Sequence, residues 1–93
     1  MKNKPANRID VIAGKVIREC RKASGLSLGD VAAGLDVTFQ QLQKYETGYN
    51  RISLSKFFEV CAEMGYDPAL LIGEINRRAR GAWAPNPEYQ KDV

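Results

Sequence analysis

The sequence predicts an all-α domain of five helices. Apolar residues recur three and four positions apart along most of the chain, which is the spacing of a buried helix face. The alternation of apolar and polar residues that would indicate strands is absent from the sequence. Residues that favour helix starts and ends separate the apolar segments at short intervals. With 93 residues, 44% of them hydrophobic, the chain suits one globular domain with a modest core.

The first two helices are each predicted from an apolar stripe and a cap. Residues 11–23 form the first helix, with Asp10 as its N-cap and Ser24-Gly25 as the break that follows. The second helix begins after Ser27, which stands three residues before Asp30 in the pattern of a capping box. Its short buried face is predicted to contain Val31, Ala32 and Leu35.

The third helix is predicted over residues 39–47, between a Thr38 N-cap and Gly48, which can adopt the left-handed conformation that ends a helix. Leu42 and Tyr45 lie three residues apart and share one face. The opposite face carries Phe39, Gln40, Gln43 and Lys44. One face can therefore pack while the other offers long hydrogen-bonding side chains, which is typical of a helix that reads a polar partner.

Two more helices are predicted after a loop at residues 49–52. Ser53 is the expected N-cap of the fourth helix, and Gly65 its end. Asp67-Pro68 places a cap before a proline at the first helical position, which starts a fifth helix that can continue through several arginines to Gly81. The fourth helix is expected to bury Leu54, Phe57, Val60, Cys61 and Met64. The fifth carries Leu70, Leu71, Ile72 and Ile75.

Residues 81–93, GAWAPNPEYQKDV, contain two prolines and two aromatic residues without helical spacing. They are predicted to form an irregular or disordered tail. Trp83 and Tyr89 either lie loose within this tail or cover an apolar surface of a neighbouring subunit.

Charge is distributed unevenly along the chain. The net charge of +3 is too small to indicate a partner on its own. Residues 1–22 carry seven lysines and arginines against two acids, whereas residues 23–70 carry three against six. The basic excess therefore lies near the N-terminus, which argues against a broad nucleic-acid patch on the central helices.

The sequence gives no indication of an enzyme or a metal site. It has no histidine, no nucleophile beside a base and no glycine-rich phosphate loop. Cys20 and Cys61 lack metal-ligand spacing and are predicted to be buried, reduced thiols. We expect no catalytic residue, cofactor, metal or small-molecule ligand. No segment approaches the ~20 apolar residues of a membrane span, and the polar N-terminus is unlike a secretory signal, so the expected location is the cytoplasm.

The second and third helices, joined by about three residues, form a helix-turn-helix. Residues 11–72 resemble the five-helix DNA-binding domain of phage repressors and XRE-type regulators, the Cro/C1-like or lambda-repressor-like group. The residues that carry the resemblance are Ile17-Arg18 with Arg21, Gly25-Leu26-Ser27, Val31-Ala32, Leu35, Val37, Tyr45-Glu46-x-Gly48 and the segment from Leu54 to Gly65.

The resemblance implies a role for each matching residue. The base-contacting set is Phe39, Gln40 and Lys44, with Gln43 on the same outward face. A second set is implied to contact phosphates or to flank the base-contacting residues. It contains Thr38, Gln41, Asn50, Arg51 and, through its backbone amide, Leu28. Arg21 and Glu46 match an ion pair that ties the first helix to the end of the third, and both are assigned to architecture.

Several of these residues have a plainer interpretation. The glutamines at 40, 41 and 43 could form an ordinary solvated helix face. Phe39 could be a hydrophobic staple or a core residue, and Tyr45 is expected in the core with its hydroxyl at the rim. Arg18 and Lys22 are expected to be solvated or to make incidental phosphate contacts.

The sequence also departs from the family. Leu28 stands where the family often has a glutamine that clamps a phosphate, and Asp36 replaces the usual glycine of the turn. The acid surplus of the central helices is a third departure. We therefore expect moderate affinity of one copy for DNA and a need for two subunits.

The predicted function is sequence-specific binding of double-stranded DNA by a transcriptional regulator. The expected form is a homodimeric repressor on a palindromic operator, nucleoid-associated through its DNA, with the helix at residues 39–47 in the major groove. The alternative is a protein-interaction module of the same fold, an antitoxin-like partner with weak or no DNA binding. The predicted division is an N-terminal arm (1–10), a DNA-binding domain (11–72, with the helix-turn-helix at about 28–47) and a helix-five extension with the tail (73–93).

Overall fold

The computed structural model describes residues 7–80, and every regular element in that range is an α-helix. The five helices are α1 (Arg8–Ala23), α2 (Leu28–Leu35), α3 (Phe39–Thr47), α4 (Leu54–Met64) and α5 (Pro68–Ala79). The predicted all-α fold of five helices is confirmed. The predicted tail at residues 81–93, with Trp83 and Tyr89, lies outside the described residues.

Capping side chains set the helix starts. Ser27, Thr38, Ser53 and Asp67 each accept a hydrogen bond from a backbone N–H of the following turn, as predicted. The predicted start of the first helix is wrong. Asn7 accepts a bond from the Asp10 N–H (3.0 Å), and the Asp10 carboxylate accepts one from the Asn7 N–H (3.1 Å). This capping box starts α1 at Arg8 and places Asp10 inside the first turn.

The turn between α2 and α3 is closed by Asp36, whose φ of 58° lies in the left-handed region. Among residues 7–80 it is the only residue other than glycine with a positive φ. Aspartate tolerates this conformation better than most residues, and its N–H donates to the Ala32 carbonyl oxygen. Gly48 ends α3 in the same region at φ 78°, as predicted. The fifth helix ends at Ala79, before Gly81.

Apolar side chains from all five helices form one core. Ile17, Leu42 and Val60 have no exposed surface. The prediction that Leu54 points inward is wrong, because this first residue of α4 lies beyond the core and is 68% exposed. Ile52 packs against the core from the preceding loop. Cys61 is buried, and burial raises the pKa of its thiol to about 11, whereas Cys20 is only half-buried.

The first helix holds the others in place, since it packs against α3, α4 and α5. Its contact with α3 is unusually close at Gly14, where a Cβ would overlap the carbonyl oxygens of Tyr45 and Glu46. At the other end of this contact, Gly48 lies against Val11 in the same way. The two glycines therefore allow the backbones of α1 and α3 to approach closely, and this close contact fixes the position of α3 relative to α1.

Candidate nucleic-acid interface

The third helix has one face in the core and one in solvent. Leu42 is fully buried, and Tyr45 packs against the core while remaining half-buried. The opposite face is exposed at Phe39, Gln40, Gln43 and Lys44, with Phe39 52% exposed. Phe39 is therefore not a core residue, which excludes one of its two plainer interpretations. Long polar side chains and one aromatic ring project from the domain along this face.

The orientation of α3 is fixed by a buried ion pair. Arg21 Nε donates to Glu46 Oε2 at 2.7 Å, and Arg21 Nη2 donates to Glu46 Oε1 at 3.1 Å. A third bond runs from Arg21 Nη1 to the Leu26 carbonyl oxygen at 2.9 Å. Only 7% of Arg21 and 5% of Glu46 is exposed, and the bonds to Glu46 raise the pKa of Arg21. A two-bond geometry fixes direction as well as distance, so the pair locks the end of α3 onto α1.

The start of α3 and the loop that follows it carry the predicted phosphate contacts. Thr38 is exposed, and its Oγ1 accepts a bond from the Gln41 N–H at 3.0 Å, while Gln41 itself is half-buried. The Asn50 N–H donates to the Lys44 carbonyl oxygen at 3.2 Å, which folds the loop back onto the helix end. Arg51 is exposed, and its Nε lies 3.1 Å from Asp10 Oδ2 on α1.

Leu28 lies in a groove between the start of α2 and the facing sides of α1 and α3. The groove has a volume of about 360 Å³ and is lined by Lys15, Arg18, Leu28, Gln43 and Thr47 together with the buried ion pair and Val11. The Leu28 side chain is half-buried and packs against the core. Gln43 connects this groove to the exposed face of α3. Lys15 and Arg18 of α1 thus lie beside α3 in the fold, although they are distant from it in the sequence.

A helix-turn-helix family model, HTH_3, matches residues 17–71 of the chain. The chain belongs to the helix-turn-helix family. The matched segment contains the whole of α2, α3 and α4, and it includes both partners of the buried ion pair, Arg21 and Glu46. Within residues 7–80 of this helix-turn-helix protein, no helix combines the length and the apolar character that crossing a membrane requires.

Relatives of this helix-turn-helix protein are named as transcriptional regulators. The uncharacterized HTH-type transcriptional regulator y4aM of Sinorhizobium fredii is 30% identical over 90 residues, which cover 95% of this chain and 63% of that protein. The uncharacterized regulator RC0668 of Rickettsia conorii is 49% identical over 55 residues, covering 59% of this chain and 44% of that protein. The chain therefore spans less than two thirds of either relative. An uncharacterized transcriptional regulator of Rhodospirillum rubrum is 30% identical, with coverage of 87% and 88%.

Solved structures show the same arrangement of helices. The clp gene regulator ClgR of Corynebacterium glutamicum superposes with a TM-score of 0.75 at 22% identity, over 95% of this chain and 88% of that one. The restriction-modification controller protein C.AhdI of Aeromonas hydrophila gives a TM-score of 0.62 at 26% identity, over 66% and 92%. These structures show the shared fold, while the family match and the named relatives support a DNA-binding regulator.

Sequence reasoning missed one residue beside the exposed face of α3. The Tyr49 ring lies under Lys44, with Nζ 5.7 Å from the ring centroid, and 62% of this tyrosine is exposed. Tyr49, Lys44, Gln43 and Thr47 line a shallow depression of about 270 Å³. The available signal was an aromatic residue directly after the glycine that ends the helix. A left-handed residue turns the chain back, which brings the next side chain towards the last turn of α3.

Proposed function

We propose that this helix-turn-helix protein binds double-stranded DNA by placing α3 in the major groove, and that it regulates transcription. The observation that carries the proposal is the fixed orientation of α3. The Arg21–Glu46 pair and the close contact at Gly14 hold its inner face, so that its outer face projects from the domain as a rigid row. Rigid presentation suits base readout, because hydrogen bonds to base edges require defined positions.

The chemistry of the exposed face matches the groups in the major groove. Gln40 and Gln43 can each make two hydrogen bonds to adenine, and Lys44 can donate to guanine. The exposed ring of Phe39 can pack against a thymine methyl group. We assign base reading to these residues, and phosphate contacts that set the register to the start of α3 and the loop with Asn50 and Arg51.

The proposed assembly is a homodimer that represses transcription from a palindromic operator. A single small domain makes few contacts, whereas two copies read two half-sites about one helical turn apart. The helix α5 offers a surface for this pairing, because Leu70 is 67% exposed and Ile72 is 45% exposed. Binding at a promoter would block polymerase. Sedimentation of the free protein and symmetry of the protected site test this part separately.

Selection of binding sites from random duplexes is the decisive experiment, because it tests DNA binding and returns the operator. The Gln40→Ala and Lys44→Ala variants should then lose about 5- to 150-fold of the preference for that operator over unrelated DNA, since each removes a contact worth ~1–3 kcal/mol. The matched control is Lys22→Ala, which removes an exposed lysine from α1. Recovery of no enriched sequence would refute the proposal.

A protein-interaction module is the second candidate. It is favoured by Leu28, which places an apolar side chain at the start of α2 where a phosphate contact is expected. In that case the Gln40→Ala and Lys44→Ala variants would fold normally and retain whatever weak DNA binding the protein has.

A further inference from the structure

The groove beside Leu28 carries more positive charge than the sequence suggests. Lys15 and Arg18 lie three residues apart on α1, and both line the groove. Both are exposed, and within residues 7–80 neither forms an ion pair with a carboxylate. Their side chains are therefore available to an anion that enters the groove from solvent.

Two acids close to these cations in the fold or the sequence are already paired with arginines. Glu46 also lines the groove, but both of its oxygens accept bonds from Arg21. Glu19 follows Arg18 in the sequence, but its carboxylate is held by Arg78 of α5, with Nη2 2.7 Å from Oε1. The net charge of the groove is therefore positive, and it comes from Lys15 and Arg18.

The position of the groove points to the backbone of the nucleic acid that α3 would read. Gln43 lines the groove and also belongs to the exposed face of α3. Because Gln43 joins the two surfaces, a duplex bound to this face would place one of its strands beside the groove. Leu28 cannot donate a side-chain hydrogen bond to that strand, whereas Lys15 and Arg18 on the facing wall can.

We infer that this groove binds a phosphate of the DNA backbone, with Lys15 and Arg18 supplying the cationic contacts that Leu28 cannot make. The inference rests on the proposed function and adds a binding site to it. The contact is electrostatic and independent of sequence, so it contributes to affinity and register but not to the choice of operator. It also gives the basic N-terminal part of the chain a place in the interface, although the central helices carry an acid surplus.

The test compares the Lys15→Gln/Arg18→Gln double variant with Lys22→Gln, which removes a charge from an exposed position of α1 that does not line the groove. Affinity is measured over a range of salt concentrations for the selected operator and for an unrelated duplex. The double variant should lose affinity for both duplexes by a similar factor. The slope of log K against log salt should decrease in magnitude by about 1, since one phosphate contact contributes ~0.9. Lys22→Gln should change this slope by less than about 0.5.

A charge-preserving variant, Lys15→Arg/Arg18→Lys, separates charge from packing and should retain the wild-type slope. Thermal unfolding of all variants checks that the fold persists, as expected for two exposed positions. If the wild type binds its operator and the double glutamine variant behaves like Lys22→Gln, the phosphate site is refuted while the proposed function survives. If the wild type binds no duplex, both are refuted.

Discussion

Arg21 of α1 and Glu46 of α3 share two hydrogen bonds inside the domain, 25 residues apart in sequence. The arginine also reaches the Leu26 carbonyl oxygen, which leads into α2. One side chain thus fixes the relative positions of the first three helices. The two charges are removed from water, so each depends on the other for its solvation.

Breaking this pair should destabilise the domain strongly. Glu46→Leu leaves the Arg21 guanidinium buried without its carboxylate, and we expect the free energy of unfolding in urea to fall by about 3–5 kcal/mol. Glu59→Gln is the control, because its ion pair with Lys56 is exposed and should contribute under ~1 kcal/mol. Arg21→Met/Glu46→Leu should recover much of the loss. A double variant whose loss in free energy of unfolding equals the sum of the losses in the two single variants would contradict this interpretation.

Alanine substitutions at two glycines should change the stability of the protein in opposite directions. Gly14→Ala introduces a Cβ that overlaps backbone atoms of Tyr45 and Glu46, and we expect a loss of about 1–3 kcal/mol as α3 is displaced. Gly73→Ala lies within α5 where nothing is near, and should stabilise the protein by up to ~1 kcal/mol through helix propensity. Both values come from urea unfolding. Equal effects at the two positions would exclude close packing at Gly14.

Stability should decrease at acidic pH through the carboxylates on α1 and α5. Hydrogen bonds from Arg77 and Arg78 lower the pKa of Glu74 to about 2, and a bond from Arg78 lowers the pKa of Glu19. Since these pKa values lie below their ordinary value of 4.5, the stabilisation is complete above that pH. It is lost as pH falls from there towards 2.

The melting temperature between pH 7 and pH 2.5 measures this effect. Arg78→Gln should lower the melting temperature at neutral pH and weaken its decline in acid, because both carboxylates lose a partner. Arg80→Gln is the matched control, as Arg80 is exposed and forms no ion pair within residues 7–80. An unchanged acid profile in Arg78→Gln would show that other groups cause the decline.

If Lys44 reads bases as proposed, Tyr49 should affect that readout. An exposed cation–π contact contributes ~0.5–1 kcal/mol, so Tyr49→Ala should reduce discrimination between the operator and single-base variants by about 2- to 5-fold. Tyr49→Phe retains the ring under Lys44 and should retain discrimination. Competition binding against a set of mutated operators measures both. Equal losses in the two variants would assign the effect to the hydroxyl and not to the ring.

Local signals were sufficient to predict most helix boundaries. Ser27, Thr38 and Ser53 cap the helices that their sequences predict, because the capping bond is made within one turn. The start of α1 was misplaced for a related reason. Asn7 and Asp10 are both capping residue types three positions apart, and the structure uses both of them in one box. Residue type alone does not show which of the two precedes the first turn.

Features that depend on long-range packing could not be predicted in the same way. Leu54 continues the apolar spacing of α4, but the core does not extend to the first residue of this helix. The groove with Lys15 and Arg18 forms only when α1 lies against α3 at the distance that Gly14 allows. The residues proposed to read bases are assigned because periodicity and family resemblance agree on one face of a single helix, and their roles stay predictions.

The packing of α1 against both α3 and α5 also affects the order in which the domain can assemble during synthesis. The helix-turn-helix can dock onto α1 soon after it leaves the ribosome. The remaining side of α1 stays uncovered until Leu71 and Ile75 arrive, about fifty residues after α1 ends. We expect a nascent chain stalled before α5 to hold α3 only loosely, and to be a target for chaperones and proteases until translation resumes.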